Sequence, residues 1–433
     1  MYWRKIALLA SLTALALPAS AHAAFPGDNG KIAYSRYAAQ GEAWGYNVFA
    51  INPDGSGVTN LTPGVYRVDE EPDWSADGKK IVFASRDLFS GPSDLYTINA
   101  DGSDVARITH LTNAELPYTA AGPAWSPDSS KIAFHFGAQV WVMKSDGTGL
   151  TNVTPSGFRV EGPPAWSPKG DRIAMAGAHS SLEDPAIYTM RPDGSDLQVA
   201  VPGLWFRVDW SPDGSMFVMD GFGANDYVWI ANTDGSGLHG FPATHGTENP
   251  IWSPDGTKIA FGRITFEGTA IEVMNADGSD IHAITPLDSS LEALAHISSW
   301  QPIPNHPPDC SNVAASRPVL TTANRKLVPI TLDGATDSDG DPVTLSVEAV
   351  TQDEPVTGRG DATAPDAIDE RDGELRVRAE RNPHGDGRVY RIAFTASDNH
   401  GGSCSGTATV SVPRKKHKPA VDSAPPSYDS FAG

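Results

Sequence analysis

Short apolar runs without alternation recur along the first three hundred residues: Lys80-Ile81-Val82-Phe83, Lys131-Ile132-Ala133-Phe134, Arg172-Ile173-Ala174-Met175 and Lys258-Ile259-Ala260-Phe261. Runs of this length and composition predict strands buried on both faces. An aromatic or β-branched strand follows each, such as Asp94-Leu95-Tyr96-Thr97-Ile98 or Ala186-Ile187-Tyr188-Thr189-Met190. Beyond residue 304 the pattern changes to clean alternation, as in Val343-Thr344-Leu345-Ser346-Val347-Glu348. Alternation predicts sheets with one wet face, and a two-sheet sandwich over 304–413 satisfies it. The chain is therefore expected to be all-β.

The buried strands belong to a repeat. Trp-Ser-Pro-Asp-Gly or a close variant stands at Trp74, Trp125, Trp166, Trp210 and Trp252, with a degenerate copy at Trp300-Gln301-Pro302. Asp-Gly turns at Asp54, Asp101, Asp146, Asp193, Asp234 and Asp277 interleave with it. Proline presets the second position of such a turn and glycine fits its last. Successive tryptophans from Trp74 to Trp300 lie 41 to 51 residues apart, the spacing of a four-stranded propeller blade. Gly30-Lys31-Ile32-Ala33-Tyr34 lacks a preceding tryptophan strand, whereas Ser299-Trp300 lacks a following one. Joining the two completes a sixth blade and leaves no free sheet edge. A six-bladed propeller over 24–303 is the predicted architecture, closed by both chain ends.

The phrase Trp-Ser-Pro-Asp-Gly-Lys-Ile-Ala-Phe followed by Asn-x-Asp-Gly-Ser resembles the PD40 repeat of the TolB-like propeller family over about residues 25–303. The resemblance implies an exported binding propeller. The family also supplies propellers to peptidases and some polysaccharide lyases, and no separate helical N-terminal domain like that of the Tol-system member is readable here.

Residues 1–23 carry Arg4 and Lys5, an apolar run from Ile6 to Leu17 and Ala21-His22-Ala23, which predicts a signal peptide cleaved after Ala23. No later stretch has the roughly 20 apolar residues of a membrane span. The two cysteines, Cys310 and Cys404, are expected to form a disulfide in an exported chain. Closing a 94-residue separation would contribute about 4–5 kcal/mol in the chain-entropy model. Residues 414–433 read as a disordered tail.

A formal charge of −21, from 32 basic and 53 acidic residues, argues against nucleic acid as a partner. A protein, peptide or carbohydrate ligand and a monomeric chain are expected. Asp337-Ser338-Asp339-Gly340-Asp341 can converge oxygen ligands on Ca²⁺ or stand as a solvated turn. Pro342 occupies the place where an EF-hand loop needs glycine and no flanking helices are readable, so that reading is rejected. The phrase resembles the Asp-rich turn of cadherin-like and other bacterial Ig-like sandwiches, which implies Asp398 as a further ligand.

No nucleophile elbow, zinc-protease helix or phosphate loop is present. Gly235-Ser236-Gly237-Leu238-His239-Gly240 matches a dinucleotide pattern but follows a hairpin turn, and Arg359-Gly360-Asp361 spells an adhesion tripeptide by chance. The loops entering the innermost strands supply the candidate partner-binding rim: Arg67, Asp69, Glu70, Arg159, Glu161, Arg207 and Glu248. The expected function is non-catalytic binding or scaffolding. The alternatives are a hydrolase or polysaccharide lyase working on the channel rim, and a surface adhesion module.

Overall fold

The computed structural model describes residues 27–431 apart from 41–42, 112–119, 180–184, 222–226, 288–295, 356–363, 370–374, 399–400, 416–417, 424 and 426. The predicted leader (1–23) and the Arg359-Gly360-Asp361 tripeptide lie outside the described residues. The chain divides into two compact units, Met1–Pro304 and Asn305–Gly433. Among the described residues no helix is long and apolar enough to cross a membrane.

In the first unit the strands group by antiparallel pairing into six blades. His296–Ile303, Asp28–Gln40, Ala43–Ile51 and Thr59–Asn60 make blade 1. Arg67–Trp74 opens blade 2, Ala120–Trp125 blade 3, Trp205–Trp210 blade 5 and Thr247–Trp252 blade 6. In blade 4 the first strand is broken into Phe158–Val160 and Ala165–Trp166. A single parallel bridge, Tyr46 to Val68, links blades 1 and 2. Blade 1 is assembled from both parts of the chain, with Ile32 opposite Trp300 and Ala33 opposite Ser299. Each innermost strand touches the next in order round to His296–Ile303, so the strands form a ring about a central channel.

The repeat residues build this frame. Ser75 Oγ donates to Asp77 Oδ1 at 2.6 Å and accepts from Lys80 N at 2.9 Å. The same closure recurs at Ser126 with Asp128, Ser211 with Asp213 and Ser253 with Asp255. Blade 4 carries Lys169 where blades 2, 3, 5 and 6 carry the turn aspartate, and Ser167 donates instead to Asp171 at 2.8 Å. The Asp-Gly turns need their glycines: Gly147 has φ 84°, and a β-carbon there would strike the Ile108 carbonyl of the preceding blade. Between blades, Ile-Ala-Phe strands and tryptophans form the core; Ile132, Ala133 and Phe134 are all fully buried, and Trp74 is 1% exposed.

The second unit is a sandwich of a four-stranded sheet (Ser403–Pro413, Gly387–Ser397, Thr344–Gln352, Tyr428–Asp429) and a three-stranded sheet (Leu327–Ile330, Leu375–Arg378, Ala367–Asp369), with a small two-stranded ribbon. Cys310 and Cys404 form the expected disulfide. The tail differs from expectation. Tyr428–Asp429 adds a strand beside Thr351 and Gln352. Ser430 is fully buried, donating N–H to Val350 O at 2.9 Å and Oγ–H to Gln352 Oε1 at 2.9 Å. Polar bonds hold this segment, which is why hydrophobic pattern does not mark it.

Candidate functional site

Three residues before several of the tryptophans, the innermost strand bulges. Pairing slips between Glu70 and Asp73, between Ala121 and Ala124 and between Glu248 and Ile251. At these bulges Glu71 has φ 55°, Gly122 φ 56° and Asn249 φ 53°. Bulges re-aim side chains. Glu71 Oε2 accepts from Gly122 N of blade 3 at 2.6 Å, and its Oε1 accepts from Arg207 Nη2 of blade 5 at 2.7 Å. Blades 2 and 5 stand opposite in the ring, so this ion pair crosses the channel. Arg207 is fixed at its own backbone, where its N–H donates to Asp220 Oδ1 at 2.7 Å; Asp220 Oδ2 accepts from Asn249 N at 3.1 Å.

Two residues further along the same strands stand Asp73 and Asp209. Asp73 Oδ2 accepts from Trp125 N at 2.7 Å. Asp209 accepts from Trp210 N at 2.9 Å and from Trp252 N at 3.0 Å. Each carboxylate therefore ties its blade to the next. Withdrawal from solvent deep in the channel pushes Asp73 up to about 7, with the Asp209 charge adding to the rise, and Asp209 up to about 6. Both retain some open surface, because they line two small chambers. One, of about 80 Å³, is shared with Glu71 and Arg207; the other, of about 60 Å³, is shared with Trp166, Trp210, Trp252 and Trp300.

Of the seven rim residues expected from sequence, Glu70, Arg207 and Glu248 come to the channel mouth. His296 Nδ1 lies 3.1 Å from Glu248 Oε1, and that bond raises the imidazole pKa. Burial raises the Glu70 carboxyl, with the Arg86 charge opposing. Arg159 and Glu161 form an exposed pair at 3.3 Å. Arg67 and Asp69 lie together against blade 2, where the half-exposed Arg67 guanidinium sits 5.0 Å from the Tyr96 ring centre and its Nε 3.5 Å from Asp69, and Ser85 Oγ donates to Asp69. Asp69 is 3% exposed. Strand alternation puts residues 67 and 69 on one face, and only the bulge beyond Glu70 redirects the chain into the channel.

Sequence reasoning passed over Glu71 as a site residue, together with Asp73, Asp209, His135 and His296. A signal was available for two of them. Asp precedes the tryptophan only at Asp73-Trp74 and Asp209-Trp210, where the other copies have Ala124, Ala165, Ile251 and Ser299.

In the second unit, Asp337, Asp339 and Asp341 bring carboxylate oxygens within 4.8 Å of one another. Asp337 Oδ1 accepts from Asp339 N at 2.7 Å, while its Oδ2 is buried with no hydrogen-bond partner among the described residues. His306 donates N–H to Asp339 at 2.5 Å and places Nδ1 at 2.9 Å from it. Asp398 stands outside this group. It is fully buried and accepts from Asn305 Nδ2 at 2.9 Å and Gly402 N at 2.8 Å.

Residues 110–303 match the TolB beta propeller domain, and residues 305–412 match the bacterial Ig domain. The chain joins a TolB-like propeller to a bacterial Ig domain. A TolB homolog of Chlorobium luteolum is 30% identical over 165 residues, which are 35% of this chain and 35% of that protein. An uncharacterized peptidase of Bacillus subtilis, YuxL, is 24% identical over 204 residues, 44% of this chain and 29% of the peptidase. The chain thus spans about a third of each of these curated relatives. The crystal structure of TolB from Acinetobacter baumannii superposes with a TM-score of 0.54 at 19% identity, covering 64% of this chain and 68% of that one. That likeness is one of fold. In this TolB-like propeller the mouth carries the cross-channel pair, and the smaller Asp73–Asp209 chamber reaches the Ser-Pro-Asp-Gly turns at Pro212, Ser253 and Pro254.

Proposed function

We propose that this chain is an exported, non-catalytic propeller whose channel-mouth face binds a protein or peptide partner in the cell envelope or outside the cell. The observation carrying this reading is where large apolar side chains meet solvent. Phe89 is 77% exposed with its ring centre 5.8 Å from that of Tyr66, Leu204 is 63% exposed, and Phe266 is wholly exposed. Register puts all of them on the mouth face: Arg67 pairs with Asp87 beside Phe89, and Ile264 N bonds Gly246 O beside Phe266. Exposed aromatics around a polar centre are what a protein-binding face offers. On the opposite face the exposed apolar residues, Val58, Val105, Leu150 and Leu238, are single and recur with the repeat.

An enzymatic reading would look to Asp73 and Asp209 as an acid and base pair. Their oxygens are engaged by backbone N–H groups, which makes them staples between blades. Export rests on the leader read from residues 1–23; a mature protein beginning at Ala24, found by mass spectrometry outside the cytoplasm, is the expected result. The binding reading is tested by capture from an envelope extract with the chain and with a Phe89→Ser/Phe266→Ser variant. A partner held by the first and lost by the folded second supports it, and equal capture by both counts against it.

We further propose that Asp337, Asp339 and Asp341 hold Ca²⁺ in the Ig unit, with Asp398 shaping the field beside Asp339. The buried, unpartnered Asp337 Oδ2 favours a bound cation over a solvated turn.

A further inference from the structure

The donors around Glu71 outnumber what Glu71 accepts. Gly122 N and Arg207 Nη2 each bond one of its oxygens. Arg207 Nε is buried with no partner, and so is His135 Nδ1. His135 lies within electrostatic reach of both Glu71 and Arg207. A backbone N–H and a guanidinium meeting on one carboxylate, with a buried imidazole nearby, form a donor set that recognises a carboxylate. Asp220 holds the Arg207 backbone independently of Glu71, so the strand that presents the guanidinium does not depend on Glu71 for its placement.

Glu71 itself is held against its local preference. Its φ of 55° is the conformation that Gly122 adopts at the corresponding bulge of blade 3, and a β-carbon disfavours it. The adjoining chamber of about 80 Å³ leaves space beside the carboxylate. We propose that Glu71 is an internal stand-in occupying a carboxylate pocket at the channel mouth, and that a carboxylate of the peptide partner takes its place on Arg207 and the Gly122 amide. This rests on the mouth being the binding face. The carboxylate can come from a C-terminus or from an acidic side chain.

The surrounding field opposes such a ligand: Glu70 and Glu248 stand at the mouth, and the chain carries −21 overall. Salt screens that long-range repulsion more than it screens contacts inside the channel. Affinity should therefore rise as ionic strength increases from a low value, the reverse of a site held by excess basic charge.

The test titrates the full chain and its Glu71→Gly variant with sodium acetate and three N-acetylated tetra-alanine probes. One has a free C-terminus, one is amidated with a single internal aspartate, and one is amidated with no carboxylate. Glu71→Gly should bind acetate and at least one carboxylate peptide about tenfold or more tighter than the parent. The peptide preferred identifies the source, and the third probe should not bind. Adding Arg207→Met should abolish the gain. Tryptophan fluorescence checks folding, and Glu71→Ala, which also vacates the pocket, gives the same readout if the glycine variant is unstable. A gain that is absent in folded variants, or that survives Arg207→Met, overturns the proposal. Capture of a partner that still depends on Phe89 and Phe266 would then leave the mouth reading standing.

Discussion

Glu71 and Arg207 are 136 residues apart in sequence and 2.7 Å apart in space, bridging opposite blades of the propeller. Their side chains are 22% and 16% exposed, so each withdraws the other from solvent. Arg207→Met is expected to cost about 1–3 kcal/mol by leaving Glu71 with one donor fewer in a confined site. Glu71→Gly loses both bonds to Gly122 N and Arg207, and relief of the left-handed backbone should offset part of that cost. Denaturant titration read by fluorescence checks both. The eleven tryptophans all precede residue 304, so this signal reports the propeller alone.

Asp73 and Asp209 make propeller stability depend on pH. Their folded values, about 7 and about 6, lie above the roughly 3.9 of an unfolded aspartate. Between these values the folded state binds more protons than the unfolded one, so the contribution is full below about pH 4. It is lost as pH rises through 6 and 7. Asp73→Asn should flatten the fall in unfolding midpoint between pH 4.5 and 7.5. An unchanged slope would show that the carboxylate is ionised throughout.

The disulfide should matter only to the second unit. Reducing Cys310–Cys404 is expected to cost that unit about 2–5 kcal/mol. Calorimetry with and without reductant should show one transition shifted, with the fluorescence-detected transition unmoved. Two free thiols in the exported protein would contradict the bridge.

Calcium should stabilise the same unit by mass action. Millimolar Ca²⁺ is expected to raise its calorimetric midpoint relative to EDTA, and Asp337→Asn/Asp341→Asn to remove the rise. Equal midpoints in Ca²⁺ and EDTA would make the sequence from Asp337 to Asp341 a solvated turn.

Much of this architecture is legible in the sequence. The Trp-Ser-Pro-Asp-Gly phrase states its own turn, since each serine and aspartate bonds within five residues, and Ile32 opposite Trp300 follows from counting incomplete blades. The site is less legible. Arg67 and Asp69 read as rim charges because the bulge after Glu70, which decides what enters the channel, leaves no hydrophobic signature. The Glu71–Arg207 pair depends on ring closure bringing blades 2 and 5 face to face, and no local pattern encodes that distance. The strand at Tyr428–Asp429 escapes for another reason: Ser430 anchors it through hydrogen bonds in a segment with little apolar content.

The central claim is that partners meet the channel-mouth face. Its most direct measurement is photocrosslinking in cells of the producing organism, with a benzoylphenylalanine placed at Phe89, Phe206 or Phe266 on the mouth and at Ser103 or Ser236 on the Asp-Gly face. Covalent adducts of one common mass from the mouth positions, and none from the other face, are the predicted result. Adducts arising only from Ser103 and Ser236 would contradict the account.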